Sequence, residues 1–283
     1  MSLNNLKPDI VTGMLLSRLN DALVFAQVSN TDYQGEITAF GQSVRINQVD
    51  SVAISDYTMG TTADLTIEVL GTGAQILHID QAKSYAFTIE DADNAQARAK
   101  ILNDGITEAA FGLANAVDSY IAGKYLDAGV AVGGTATTGV DITSTNVLTY
   151  FNNAQYKLDE TNTPQVGRYA TLPPWLSAKV GMMGVVQLTE NGNAFATGSI
   201  GRLMGFDIFP SNQISALSGT DRYPCLFGYR GSISMATQLV KTAIVEPSKQ
   251  FVTLAKGLLV FGAKVTRPNN LGVLYADFTA EAT

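Results

Sequence analysis

Cysteine, histidine and tryptophan occur once each in the 283 residues, as Cys225, His78 and Trp175. A single cysteine cannot close an intrachain disulfide, so a reduced intracellular setting is the expectation. One histidine and one cysteine fall short of the three or four side-chain ligands that zinc needs. Charge is scarce as well. Asp, Glu, Lys and Arg make up 15% of the chain, against about 25% in ordinary globular domains. A free monomer keeps its charges on the solvent face, so this shortage, beside an apolar fraction of 46%, points to a surface covered by partner subunits. The 18 basic and 25 acidic residues give a net charge of -7. No run of Lys or Arg occurs, which disfavours tight nucleic-acid binding.

Long apolar runs are missing too. None approaches the roughly 20 residues that span a bilayer. The first eight residues lack the basic start and apolar run of a signal peptide, and no N-x-Ser/Thr acceptor occurs. The expectation is a soluble, cytosolic oligomer built as one large domain or two lobes.

What is present falls into regions of different texture. Residues 8–27 carry Ile10, Met14, Leu15, Leu19, Leu23 and Ala26 at three- and four-residue steps, which predicts an amphipathic helix. From 40 to 91 the period becomes two, as in Val44 and Ile46, Leu65, Ile67 and Val69, and Phe87 and Ile89. This predicts a long two-stranded ribbon, which must lie on something because an isolated hairpin is marginal in water. Residues 91–127 predict a long helix, with Glu90, Asp91 and Asp93 at its positive end and Gly129 placed to stop it. Gly105 and Gly112 within it permit close packing or a bend. After a Gly-, Ala- and Thr-rich connector at 129–139, a second lobe mixes helices at 143–159 and 174–183 with strands at 168–172, 206–209 and 226–233. The chain closes with an apolar run at 256–266, a turn at Arg267-Pro268-Asn269-Asn270 and a strand at 273–278. The fold class is α+β.

A search for chemistry returns little. His78 and Asp80 share a face of a strand, but no G-x-S-x-G elbow supplies a nucleophile, and a solvent-facing strand histidine is the expected reading. Gly71-Thr72-Gly73-Ala74-Gln75-Ile76 begins like a dinucleotide loop but has Ile76 at the third glycine. Asp91 with Asp93, and Asp159 with Glu160, are expected at helix ends rather than at a metal. Cys225 stands beside Pro224 and Leu226, where a thiol is expected to be buried and inert. Trp175 is expected to anchor packing. No enzyme activity and no cofactor are expected.

Several segments resemble the major capsid proteins of tailed bacteriophages, which share the Hong Kong 97-type fold. In order they are Leu23-Val24-Phe25-Ala26, Asp32-Tyr33-Gln34-Gly35-Glu36-Ile37 and Gly41-Gln42-Ser43-Val44-Arg45-Ile46, then Asp56-Tyr57-Thr58 and Lys83-Ser84-Tyr85-Ala86-Phe87-Thr88-Ile89-Glu90-Asp91. Ile200-Gly201-Arg202-Leu203-Met204-Gly205-Phe206-Asp207-Ile208 with Ser211-Asn212 follows, and Gly257-Leu258-Leu259 with Phe261-Gly262-Ala263-Lys264-Val265-Thr266-Arg267-Pro268 comes last. Each piece is short, and it is their order along the chain that carries the resemblance.

The resemblance implies an N-terminal arm at 1–30, an extended β-hairpin loop with flanking strands at 31–90, a peripheral domain with a long spine helix at 91–128 and 246–283, and an axial domain at 129–245. It implies subunit interfaces, for which the candidates are Leu15 and Leu19 on the arm, Asp56, Tyr57 and Met59 at the loop tip, and Arg267, Asn269 and Asn270 in the turn. Arg202 and Asp207 are candidates for positioning the axial loop. The implied partners are further copies in pentamers and hexamers, a separate scaffolding protein, portal and decoration proteins, and enclosed double-stranded DNA without sequence-specific contact. The implied place is the virion capsid, assembled in the bacterial cytoplasm. The scaffolding protein is expected to be separate because the chain starts almost directly at the arm. Some members crosslink through a Lys in the extended loop, whereas here no Lys lies between Lys7 and Lys83, so a shell without crosslinks is expected. The alternatives are an encapsulin-like bacterial compartment shell and a soluble ligand-binding module.

Overall fold

The computed structural model describes residues 8–32, 41–49, 72–90, 95–182, 201–245 and 252–278. At the N-terminus α1 (Pro8–Ala22) is followed, after a break at Leu23 and Val24, by a single turn, α2 (Phe25–Val28). The sequence pattern predicts one continuous helix to Gln27. The helix breaks because the N–H groups of Val24 and Phe25 are captured by Asp118, as described below.

Strands β1 (Ser43–Val49) and β2 (Thr72–His78) form an antiparallel ribbon with Ser43 opposite His78 and Val49 opposite Thr72. The expected strand around Leu65–Val69 lies outside the described residues. β3 (Gln81–Glu90) leads toward α3 (Ala95–Ala122), the long helix, which tightens into a 3-10 turn at Gly123–Asp127. At about 1.5 Å per residue, the 28 residues of α3 extend for roughly 42 Å. Gly105 allows close packing: a Cβ there would stand 2.8 Å from the Phe87 ring of β3.

The second lobe contains β4 (Val130–Gly133), β5 (Val140–Asp141), α4 (Val147–Glu160), β6 (Arg168–Leu172), α5 (Pro174–Met182), β7 (Gly201–Leu203), β8 (Phe206–Pro210) and β9 (Arg222–Tyr229). Asn146 shapes the entry to α4, its side chain accepting from the Thr143 N–H and donating to the Asp141 carbonyl. The long strands β10 (Ile233–Val245) and β11 (Val252–Val265) and the last strand β12 (Leu271–Asp277) complete the chain.

Two sheets organise these elements. A three-stranded antiparallel sheet runs β10-β11-β3, and a seven-stranded mixed sheet runs β4-β12-β9-β6-β8-β7 with β5 beside β12. Two strands pair across the expected division of the chain. β10, expected in the axial domain, pairs with β11 and lies in the sheet that carries α3. β12, expected in the peripheral domain, is an inner strand of the seven-stranded sheet, antiparallel to β9 and parallel to β4. Six of the seven β12 residues are buried, so its sequence reads as a continuous apolar run, which periodicity alone cannot allocate to a sheet.

The core divides accordingly. Val11, Leu15, Leu19, Leu23, Phe25 and Val28 pack with Leu102, Ile106, Leu113, Val117 and Ile121 of α3 and with Leu259 and Phe261 of β11. The seven-stranded sheet is buried on both faces. Tyr169, Leu226, Val273 and Tyr275 join this first cluster, while Ala170, Leu172, Cys225, Phe227 and Leu274 join a second one beneath α4 and α5. A third, small cluster seats the ribbon on the three-stranded sheet through Val44, Ile46, Leu77, Ile79, Ala236 and Val260.

Candidate assembly surfaces

Among the described residues the outer face of the three-stranded sheet is only partly covered. Alternation along β11 points Leu258 and Lys256 to the side opposite α3, and beyond them Val260 is roofed by the chain's own ribbon. The uncovered half holds a trough of about 280 Å³ lined by Ser84 and Ala86, Lys241 and Ala243, and Lys256 and Leu258. Its floor is small and apolar, and two exposed lysines carry its charge. Val240 and Val245 on the same edge strand are 40% and 42% exposed. An apolar floor with basic flanks suits a partner segment that is apolar and acidic.

A second groove, of about 490 Å³, lies at the foot of the ribbon. His78 is exposed there, and Asp80 accepts a hydrogen bond from the Tyr120 hydroxyl at 2.9 Å. Burial and the Asp80 carboxylate hold that hydroxyl well above the usual tyrosine range. Lys124 sits 4.5 Å above the Tyr120 ring, and Lys264 donates to the Ile76 carbonyl at 3.0 Å. Among the described residues no group of three or more His, Cys, Asp or Glu comes together.

The proposed interface residues are dispersed. Leu15 and Leu19 are 0% and 1% exposed and lie in the chain's own core. The apolar stripe of α1 is the face packed on α3, so a contact through the arm at Leu15 and Leu19, as expected from the resemblance, stays a proposal. Asp56, Tyr57 and Met59 lie outside the described residues. Arg202 and Asp207 stand opposite each other across the β7–β8 hairpin, Nε to Oδ1 3.8 Å, both about half exposed. Met204 and Gly205 turn the hairpin with positive φ of 47° and 83°. Arg267 and Asn269 are exposed, and Asn270 is half-buried, accepting from the Thr163 hydroxyl at 3.2 Å. The Pro268 carbonyl accepts the Gly129 N–H at 2.9 Å. A Cβ on Gly129 would stand 2.8 Å from the Pro268 backbone, so the turn is fitted to the end of the helix.

The pattern reading missed two features. The trough is not legible in the apolar run at 256–266, because only pairing with β10 and β3 brings its two lysines together. Asp118 interrupts the apolar face of α3 between Val117 and Ile121, a buried charge within a helical stripe, which is the kind of exception that marks a specific contact.

The comparisons with known proteins divide by method. No protein-family model and no curated protein matches the sequence. Solved structures do match. A structure from Mycobacterium phage Che8 is 24% identical, with a TM-score of 0.64 over 89% of this chain and 90% of that one. The capsid of cyanophage P-SCSP1u is 19% identical, with a TM-score of 0.61 over 91% and 89%. The chain has the Hong Kong 97-type capsid fold. A virus-like particle from Pyrococcus furiosus also has this capsid fold, at 13% identity and a TM-score of 0.52 over 93% and 96% of the two chains. In this capsid fold the trough and the ribbon foot are surfaces that the described residues leave open.

Proposed function

We propose that the chain is the major capsid protein of a tailed bacteriophage, many copies of which close an icosahedral shell around double-stranded DNA. The observation that carries this reading is the agreement of fold with the cyanophage capsid along about nine-tenths of both chains. The low charge content supports it, since a subunit surrounded by copies of itself exposes little surface to solvent. The partly uncovered sheet face supports it too, because an open apolar patch flanked by charge is what an assembling surface requires.

In this reading α3 is the spine that sets subunit shape, the sheet β10-β11-β3 and α3 form the peripheral part, and the seven-stranded sheet with α4 and α5 forms the axial part that gathers into pentamers and hexamers. The β7–β8 hairpin with Arg202 and Asp207, the turn from Arg267 to Asn270 and the segment with Asp56, Tyr57 and Met59 reach neighbours. Assembly takes place in the bacterial cytoplasm with a separate scaffolding protein, a portal and decoration proteins. The negative net charge keeps the lining from adsorbing DNA, whose phosphates would otherwise add affinity at every contact.

The likeness to the Pyrococcus furiosus particle favours a second reading, a compartment shell around protein cargo. Imaging of purified particles together with analysis of their contents separates the two. Packaged double-stranded DNA supports the capsid reading, and a packaged enzyme without nucleic acid supports the compartment.

A further inference from the structure

A carboxylate at the centre of the first core cluster calls for an explanation. Asp118 is 2% exposed, and its helix neighbours Ala114, Val117, Ile121 and Ala122 all belong to that cluster. One oxygen accepts the Val24 N–H at 2.9 Å and the other the Phe25 N–H at 3.1 Å. These donors lie where α1 has ended and α2 begins, so a side chain of α3 satisfies backbone groups that the broken N-terminal helix cannot satisfy itself. The Leu23 N–H still bonds back to the Leu19 carbonyl and the Ser29 N–H to the Phe25 carbonyl. Asp118 bridges the gap between them.

Among the described residues no opposite charge meets this carboxylate. On α1, Arg18 and Asp21 are exposed, and α2 has no titratable side chain. Arg230, before β10, is exposed and donates to the Gln27 carbonyl, and Lys241 of β10 is exposed. Of the strands beneath α3, Lys83 and Lys256 are exposed and Lys264 is committed to the Ile76 carbonyl. On α3 itself Asp104 and Glu108 are exposed, and Lys124 lies over Tyr120, which holds Asp80.

We propose that Asp118 makes the seating of the N-terminal helices on α3 depend on pH, the arm being held more firmly in mild acid than at neutrality. The sign follows from burial. Loss of water raises the Asp118 carboxyl from 3.8 to about 6, with the two N–H bonds opposing in part. When the arm lifts, the carboxyl meets water and returns to its ordinary value. The seated arm therefore binds the proton more tightly. Its added hold is complete below about pH 4 and is lost as the pH rises through about 6. The gap between the two values limits the whole effect to about 100-fold. The packing of Val11, Leu15, Leu19, Leu23, Phe25 and Val28 with α3 involves no titrating group, so pH sets how often the arm lifts and does not by itself release it.

Hydrogen exchange on the full chain, followed by mass spectrometry of peptides from 8–32 and corrected for intrinsic rates, tests this between pH 5.0 and 7.5. That range stays above the isoelectric point near 4.7. Arm protection is expected to fall about tenfold across it, while peptides from β9 show no such slope. In Asp118→Asn the arm slope is expected to vanish. Wild-type arm protection that is flat with pH, or the same slope in every peptide, would overturn the proposal without reference to the variant. An unchanged arm slope in a folded Asp118→Asn protein would also overturn it.

Discussion

Arg168 reaches Asp159 from inside the second lobe, Nη2 to Oδ1 2.7 Å, with its side chain 2% exposed against 41% for its partner. The same guanidinium donates to the Pro164 and Thr163 carbonyls. It therefore ties the first residue of β6 to the end of α4 and to the loop between them. Removing it leaves two carbonyls without their donor and frees the carboxylate. Arg168→Ala is expected to destabilise the fold by about 3 kcal/mol. Arg168→Lys is expected to recover only part of this, because an ammonium cannot reproduce the planar fork. Urea denaturation of the purified subunit checks both, and equal stabilities would contradict the role.

Gly262 sets the spacing between β11 and the ribbon foot. A Cβ at this position would stand 2.2 Å from the His78 carbonyl oxygen, a backbone atom held by the β1–β2 pairing. Gly262→Ala is expected to cost about 1–3 kcal/mol through forced displacement. Gly112→Ala, where a Cβ meets nothing within 4 Å, is expected to stabilise α3 by a few tenths to 1 kcal/mol. Thermal unfolding of the two variants side by side should move in opposite directions.

Cys225 is fully buried, and burial pushes its thiol far above the usual range. It should be untouched by a thiol-specific reagent in the native subunit and react stoichiometrically after unfolding. Fast labelling of native protein would place this part of the seven-stranded sheet at the surface.

Much of the architecture could be read from the sequence where one face of an element is wet. The alternation at Val44 and Ile46, the long helix expected at 91–127 and the helix expected at 143–159 each matched an observed element, because solvent on one side imposes a period. Reading failed where both faces are covered. β12 gives no period to assign it to a sheet, and its place between β4 and β9 follows from pairing with strands distant from it in the chain. The arm is a different case. The stripe with Leu15 and Leu19 does not say whether it meets its own chain or another, and it is the tertiary packing that places both against α3. The break at Leu23 and Val24 depends on a carboxylate 93 residues away from Phe25, which no local pattern carries.

The absence of Lys between Lys7 and Lys83 leaves the segment holding Asp56, Tyr57 and Met59 without an amine for an isopeptide bond. Mature particles boiled in denaturant are expected to run as a single band at 30.0 kDa. A ladder of covalent multimers would contradict this.

The most direct test is to express the chain alone and with a candidate scaffolding protein and examine the product by light scattering behind a sizing column, with negative-stain imaging of the excluded peak. The account predicts megadalton closed shells, or rings of five and six subunits. A protein that stays a monomer at high concentration and with the scaffolding protein present would contradict it and return the ligand-binding reading to first place.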